Sequence, residues 1–129
     1  MNIMKRFLLL WILSMAIMHV SAYDFEEGGI YYNMLPYGHF VEVTKDGVNG
    51  QPYDGDFIVP ANVLHDGQEY IVVGIGKDAF SSAKITSIKF PETISSIGEY
   101  AFYGCTELKE ISIPKGVSTL SLGCFADCI

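Results

Sequence analysis

Oxygen-bearing side chains cluster at Asp46, Asn49, Asp54 and Asp56, and such groups could hold a cation. Carboxylate and amide oxygens are the ligands that calcium prefers, so a calcium site in the 46–56 loop is one hypothesis. The stretch lacks the regular spacing and the distal glutamate of an EF-hand loop. Asp and Asn are also common turn residues, because their side chains bond to nearby backbone groups. We favour the turn interpretation, and we expect no metal and no cofactor.

Two histidines follow residue 22, and both lie in predicted turns, His39 after Gly38 and His65 before Asp66-Gly67. The chain contains no G-x-S-x-G, H-E-x-x-H or G-x-x-x-x-G-K motif. A catalytic triad is defined by geometry and not by sequence order, so an enzyme or inhibitor with a site in the 46–56 loop stays a minor hypothesis. The sequence predicts that the protein is not an enzyme and has no catalytic residue.

Three cysteines, Cys105, Cys124 and Cys128, are the remaining reactive side chains. An odd number is not a disulfide framework, and the C-x-x-x-C spacing is not that of a zinc or redox site. Cys105 and Cys128 occupy the same column of a repeat, so stacked coils would place them close enough to consider a bridge. Buried thiols that fill a small space are the favoured alternative.

The first 22 residues have the three-part pattern of a secretory signal peptide. Lys5 and Arg6 precede an apolar run over residues 7–18, and Val20-Ser21-Ala22 supplies small residues for cleavage after Ala22. The run is shorter than the roughly 20 residues that cross a bilayer, which disfavours an uncleaved anchor. We therefore expect a secreted or cell-surface protein whose only membrane contact is through the signal peptide before cleavage.

Removing that segment leaves six Lys or Arg residues and fifteen Asp or Glu residues, a formal charge of −9. Such an acidic chain repels nucleic acid and anionic membrane surfaces. We expect no nucleic-acid partner, and the excess charge is typical of a highly soluble protein.

The elements that position these groups are set by an internal repeat. Its copies are Ile75-Gly76-Lys77-Asp78-Ala79-Phe80, Ile97-Gly98-Glu99-Tyr100-Ala101-Phe102 and, more loosely, Leu120-Ser121-Leu122-Gly123-Cys124-Phe125. The phenylalanines are 22 and 23 residues apart. A fixed period in this range is typical of a solenoid, in which each repeat is one coil stacked on the next.

Apolar positions between these hexapeptides alternate as in a strand with one buried face. Ile85-x-x-Ile88-x-Phe90-Pro91 in one coil matches Leu108-x-x-Ile111-x-Ile113-Pro114 in the next. We expect a helical turn at each Ala-Phe pair. The predicted core residues are Ile75, Phe80, Ile88, Phe90, Ile97, Phe102, Leu108, Ile111, Ile113 and Phe125.

Residues 23–74 differ from the repeats and predict β-hairpins. Residues 29–35 and 40–45 are rich in aromatic and β-branched residues, residues 46–56 form a loop rich in Gly and Asp, and residues 57–60 begin another strand. Repeat arrays need an atypical end unit that covers the first coil. We therefore interpret residues 23–74 as an N-terminal β cap and residues 75–129 as two full coils and a truncated third.

The strand positions between the buried columns should face outward and form a flat ribbon across adjacent coils. The candidate binding residues on this ribbon are Thr86, Ser87, Lys89, Lys109, Glu110 and Ser112. Tyr100 and Tyr103 are further candidates, because tyrosine is common in binding hot spots. A solvated face without a ligand is the alternative.

The run Ile97-Gly98-x-x-Ala101-Phe102-x-x-Cys105-x-x-Leu108-x-x-Ile111-x-Ile113-Pro114 resembles the BspA-type leucine-rich repeat of bacterial surface proteins. Gly29-Ile30-Tyr31-Tyr32, Val59-Pro60 and Gly67-x-x-Tyr70 resemble the leader that often precedes such arrays. The resemblance implies an α/β leucine-rich-repeat solenoid, dominated by strands with short helical turns, behind an N-terminal β-hairpin cap.

The same resemblance implies a protein-binding or adhesion module with a protein ligand, such as a host or extracellular-matrix protein. The chain departs from the family pattern at Ala83, Ser121 and Cys124, and the array is short. The alternative is therefore a truncated array with a structural role, or one that self-associates through an open C-terminal coil.

Overall fold

The computed structural model describes residues 22–129, which contain nine β-strands and no helix. Apart from Ala22, the predicted signal peptide lies outside the described residues. From residue 22 onward, no helix has the length and apolar character needed to cross a membrane.

The first sheet is built mainly from the N-terminal part of the chain. Its strands are β1 (Phe25–Glu27), β2 (Ile30–Met34), β3 (Phe40–Thr44), β5 (Asn62–His65), β6 (Gln68–Ile75) and β8 (Ser96–Ile97). The main order is β1-β2-β3-β6-β5, and β8 also pairs with β6. The hairpin expected over residues 29–45 is present as antiparallel β2 and β3, and β6 then pairs parallel to β3.

The two ends of this sheet approach each other through side chains. The ring of Phe25 in β1 stacks on that of His65 in β5 at 4.1 Å between centroids. His65 Nδ1 also lies 2.8 Å from Glu27 Oε1. The sheet is therefore strongly curved, with Phe25, Tyr32 and Val43 buried on its inner face.

The second sheet runs across the coils and consists of β4 (Asp54–Ile58), β7 (Lys84–Lys89) and β9 (Glu110–Ile111), all parallel. Its first strand corrects the sequence analysis, because Asp54–Asp56 was expected to be in a loop. The strand forms because Tyr53, Phe57 and Val59 alternate towards the interior, a pattern that glycines and aspartates obscure in the sequence. β4 lies within residues 23–74, the segment interpreted as a cap, yet it is the first strand of this second sheet, which is the ribbon expected from the sequence.

Each Ala-Phe segment folds as consecutive turns, so the expected helical turns are wrong. The N–H groups of Ala79, Ser81 and Ala83 donate three residues back along the chain, whereas those of Asp78, Phe80 and Ser82 donate to carbonyls of the next coil. A helix would need every N–H for bonds along its own axis. Asp78 and Ser82 also have positive φ values of 58° and 60°, which a right-handed helix excludes.

Gln51 completes this hydrogen-bonding pattern at the first turn. Its Nε2 donates to the carbonyl oxygens of Ala79 at 3.2 Å and Ser81 at 2.9 Å. In the next coil, the equivalent carbonyls of Ala101 and Tyr103 accept backbone N–H groups. The Gln51 side chain thus occupies the place of a preceding coil.

The core contains one continuous row of phenylalanine rings. Phe80 and Phe102 stack at 5.2 Å between centroids, and Phe102 and Phe125 stack at 5.3 Å, each pair with an interplanar angle of 7°. Of the expected core residues, Ile75, Phe80, Ile88, Ile97 and Phe102 are buried. Those that are only half-buried are Phe90, Leu108, Ile111, Ile113 and Phe125. Leu108, Ile111 and Ile113 lie in or next to the edge strand β9, and Phe125 is the last ring of the row, so these four residues pack on one side only.

The number of residues from one coil to the next differs between the phenylalanine row and the second sheet. Phe80 and Phe102 are 22 residues apart, whereas the strand partners Ser87 and Glu110 are 23 apart. The additional residue is accommodated near Thr106 and Glu107, both exposed, between the turn and β9.

The cysteines are free thiols, and Cys105 and Cys124 are buried, whereas Cys128 is only half-buried. Cys105 Sγ donates to Phe80 O, and Cys128 Sγ donates to Phe102 O, each at 2.9 Å. Burial raises the pKa of the Cys105 and Cys124 thiols to about 11, and the nearby Cys128 adds to both shifts. These two thiols therefore stay protonated at neutral pH and are poor nucleophiles.

Candidate functional site

The outward side of the second sheet carries polar side chains in rows across the coils, and we name it the strand face. Asp56, Ser87 and Glu110 form one row, and Ile58 and Lys89 are partners in the next. Neighbouring parallel strands are about 4.8 Å apart, so a row places side chains from three coils within reach of one ligand. The strand face comprises Asp54, Asp56, Ile58, Thr86, Ser87, Lys89, Lys109, Glu110 and Ser112.

Four of the six candidate binding residues are exposed, namely Lys89, Lys109, Glu110 and Ser112. Thr86 and Ser87 are half-buried, and their hydroxyls donate to Asp56 Oδ1 at 2.9 Å and 2.7 Å. The hydrogen bond from Ser87, followed by that from Thr86, lowers the pKa of Asp56. Asp56 therefore stays ionised and holds two neighbouring coils together on the strand face.

The sequence analysis missed Asp56 as a member of the strand face and considered it as a metal ligand. The signal that could have placed it there is Val59-Pro60, which repeats the strand-ending Phe90-Pro91 and Ile113-Pro114. Aligning these pairs sets Asp56 beside Ser87, as the observed register does.

Two shallow grooves cross the strand face. One of about 640 Å³ is lined by Ser87, Lys89, Lys109, Glu110 and Ser112, together with Ile88 and Ile111. The other, of about 370 Å³, continues along Phe90, Glu92, Ile113, Pro114 and Lys115. Lysines alternate with carboxylates and hydroxyls in both. Such an open surface of mixed charge suits contact with another polypeptide better than enclosure of a small molecule.

The histidines lie on the first sheet and its turns, away from the strand face. His65 contacts Glu27 and lies 3.3 Å from Asp66 through Nε2. His39 Nδ1 lies 3.0 Å from Gln68 Nε2. Within residues 22–129, neither imidazole is hydrogen-bonded to a serine or cysteine side chain, so neither has the partner that a nucleophilic triad needs.

The four candidate calcium ligands do not converge on one point. Asp46 accepts hydrogen bonds from the Val48 N–H at 3.0 Å and from Asn49 Nδ2. These two bonds lower its pKa, the backbone one more strongly. Asp54 and Asp56 lie in β4. Over the described part of the chain, no group of three or more His, Cys, Asp or Glu side chains could hold a metal ion.

Tyr100 and Tyr103 lie in the turns around Ala101 and Phe102 and not on the strand face. Their rings pack edge to face at 5.9 Å, and Tyr103 is 38% exposed. Tyr100 has a positive φ of 55°, and its ring covers Gly123 so closely that a Cβ there would overlap it. Tyr100 is thus held by packing, and Tyr103 is the more accessible of the two.

Comparison with known proteins identifies similar sequences and structures. Residues 73–129 match the family profile whose description is "BspA type Leucine rich repeat region (6 copies)". A crystal structure of a leucine-rich repeat protein from Bacteroides ovatus is 35% identical, with a TM-score of 0.73 over 82% of this chain and 27% of that one. No curated protein matches the chain.

Two further solved structures share the fold. A leucine rich cell surface protein from Faecalibacterium prausnitzii is 24% identical, with a TM-score of 0.64 over 88% of this chain and 29% of that one. A leucine-rich repeat protein from Bacteroides capillosus is 28% identical, with a TM-score of 0.53 over 70% and 62%. The chain spans less than a third of the first two relatives, at 27% and 29% of their lengths.

Proposed function

Because residues 73–129 match the family model of the BspA-type leucine-rich repeat, we propose that this chain is a protein-binding module that uses the strand face and performs no catalysis. The observation that carries the proposal is the alignment of β4, β7 and β9, which places polar side chains of three coils in common rows. Leucine-rich repeat domains generally bind other proteins through extended surfaces.

The chemistry of the strand face defines the partner. Lys89 and Lys109 are exposed, and Asp56 and Glu110 lie beside them. A complementary partner presents carboxylates opposite the lysines and donors opposite the acids, because complementary charge sets register and the rate of encounter. A protein of the host surface or extracellular matrix is the proposed class of ligand.

We also propose that the coils form a solenoid and that the protein is exported. The stacked phenylalanine row and the parallel ribbon support the solenoid. The bacterial cell-surface relative and the basic-apolar start of the sequence support export, with cleavage after Ala22. Mass spectrometry of the protein from culture medium or cell surface should find Tyr23 as the first residue. A chain that retains residue 1 would contradict the cleavage.

A charge reversal on the strand face tests the proposed function. Purified extracellular-matrix proteins are immobilised and titrated with the chain, with Lys89→Glu plus Lys109→Glu as the test variant. Lys45→Glu plus Lys77→Glu is the control, because both lysines lie outside the strand face and outside the two grooves that cross it. We expect saturable binding of at least one protein, lost in the test variant and retained in the control. Absence of binding, or equal binding by both variants, contradicts the proposal.

A structural or self-assembling role is the second candidate, and the free edge of β4 favours it. Within the described residues, β4 packs against β7 and against no other strand, and open strand edges invite association. The left-handed Gly55 and the register shift after it distort this edge, which opposes regular pairing. Light scattering over a hundredfold range of concentration, on the order of 1–100 µM, decides between them: a constant monomer mass rejects self-assembly.

A further inference from the structure

The negative charge of the protein is concentrated in its N-terminal half. Residues 23–74 contain nine Asp or Glu residues and one basic residue, Lys45, whereas residues 75–129 contain six acids and five lysines. The formal charges are therefore −8 and −1. The strands β1, β2, β3, β5 and β6 hold four glutamates and no lysine or arginine.

The outward side of the first sheet also exposes large apolar side chains. Phe40 is 39% exposed, Ile71 41% and Leu64 65%. Phe40 on β3 is the partner of Ile71 on β6, and Leu64 on β5 is the partner of Glu69 on β6. Residues two apart in a strand share a face, so Glu42 lies beside Phe40 and Glu69 beside Ile71. We name these five residues the acidic face.

Glu42 is the feature of the acidic face that points to a ligand. Its carboxyl is half-buried, and burial raises its pKa. It sits over Gly74 and Gly76, and a Cβ on Gly76 would come within 3.0 Å of Glu42 Oε1. None of the ion pairs between residues 22 and 129 includes Glu42. Removing a carboxylate from water without a partner is costly, whereas an incoming cation would offset that cost.

We propose that the acidic face is a second docking surface, which binds a protein segment carrying lysine or arginine beside apolar side chains. The lysine or arginine of the partner pairs with Glu42 above Gly74 and Gly76. The apolar side chains of the partner cover Phe40, Ile71 and Leu64. A second copy of this chain is a poor occupant, because two N-terminal segments of charge −8 repel each other. The surface is separate from the strand face, so either can fail without the other.

Synthetic peptides of about ten residues test the proposal by fluorescence anisotropy, with affinities compared as in. The probe alternates lysine with leucine, and the two reference peptides alternate lysine with serine and glutamate with leucine. The test variants of the chain are Glu42→Gln and Leu64→Ser. The matched controls, Glu110→Gln and Ile58→Ser, make the same kinds of change on the strand face. Ile58 is 67% exposed, which is similar to the 65% of Leu64. Far-UV circular dichroism verifies that every variant folds.

The lysine-leucine peptide should bind most tightly and lose affinity as salt rises, since ion pairs are screened. Glu42→Gln should weaken it about two- to fivefold and flatten the salt dependence, and Leu64→Ser should weaken it about fivefold. The control variants should change affinity by less than about twofold. Equal loss in test and control variants, or equal binding of the lysine-serine peptide, overturns the proposal. So does a concentration-dependent dimer that Leu64→Ser abolishes, because the occupant is then a second copy.

Discussion

Truncating the central ring of the phenylalanine row should remove much of the stability of this protein. Phe102 is fully buried, is stacked between Phe80 and Phe125, and meets Phe90 edge to face at 6.0 Å. Replacing a buried Phe by Ala costs about 3–5 kcal/mol, which includes the lost aromatic contacts. Typical domains have only about 5–15 kcal/mol in total. Phe102→Ala should therefore leave a marginally stable or unfolded chain.

Urea unfolding followed by far-UV circular dichroism measures the change, because the only tryptophan, Trp11, lies in the predicted signal peptide. The midpoint should move to much lower urea at an unchanged slope. The melting temperature should fall by at least about 12 °C, since a loss of 1 kcal/mol corresponds to roughly 4–8 °C in a domain of this size.

Phe125→Ala is the matched control for Phe102→Ala. Phe125 is half-buried and stacks on one ring only, so we expect about half the loss, roughly 1.5–2.5 kcal/mol. Equal losses at the two positions would show that the row does not act as a stack. A loss below about 1 kcal/mol at Phe102 would refute the assignment of this ring to the core.

Three further predictions concern the turns. Gln51→Ala should lower the free energy of unfolding by about 1–2 kcal/mol in the same urea assay, because the carbonyls of Ala79 and Ser81 lose their donor. Gln51→Glu should lower it further. Equal stability of the unmodified protein and both variants would contradict the role of Gln51 in the first turn. Gly123→Ala should cost about 1–3 kcal/mol, because the residue has a φ of 63° and Tyr100 leaves no room for a Cβ; an unchanged melting temperature would refute this. The raised pKa values of Cys105 and Cys124, about 11, mean that the folded state holds these protons more tightly than the unfolded state. The contribution of these two thiols to stability should be constant below the unfolded pKa of about 8.5 and should fall as pH rises towards 11. Cys105→Ala should make that fall shallower, and an identical pH profile would contradict it.

The row of rings could be predicted from the sequence because a fixed period requires equivalent residues to have equivalent surroundings. The backbone of the turns could not, since side-chain spacing does not say which carbonyl a given N–H will bond. At Phe80 and Phe102 the acceptor belongs to the next coil, and that choice turns an expected helix into consecutive turns.

The strand face was predictable in part. Alternation of apolar residues correctly indicates that Lys89 and Glu110 point outward, but it gives no warning that Thr86 and Ser87 bind Asp56. That contact joins residues about thirty positions apart, with the antiparallel pair β5 and β6 between them in the chain. The pairing of Glu27 with His65 on the first sheet is similarly remote in sequence and depends on the curvature of the whole sheet.

The mismatch of one residue between the ring row and the ribbon has a practical use. Thr106 and Glu107 absorb it at the surface, so the chain already tolerates a change of length there without loss of stacking on either side. A short epitope or fluorophore-bearing peptide grafted between these two residues should lengthen a solvent-exposed bend and leave the interior intact. The protein could therefore be attached to a solid support at this one junction, in a single orientation and with its core undisturbed.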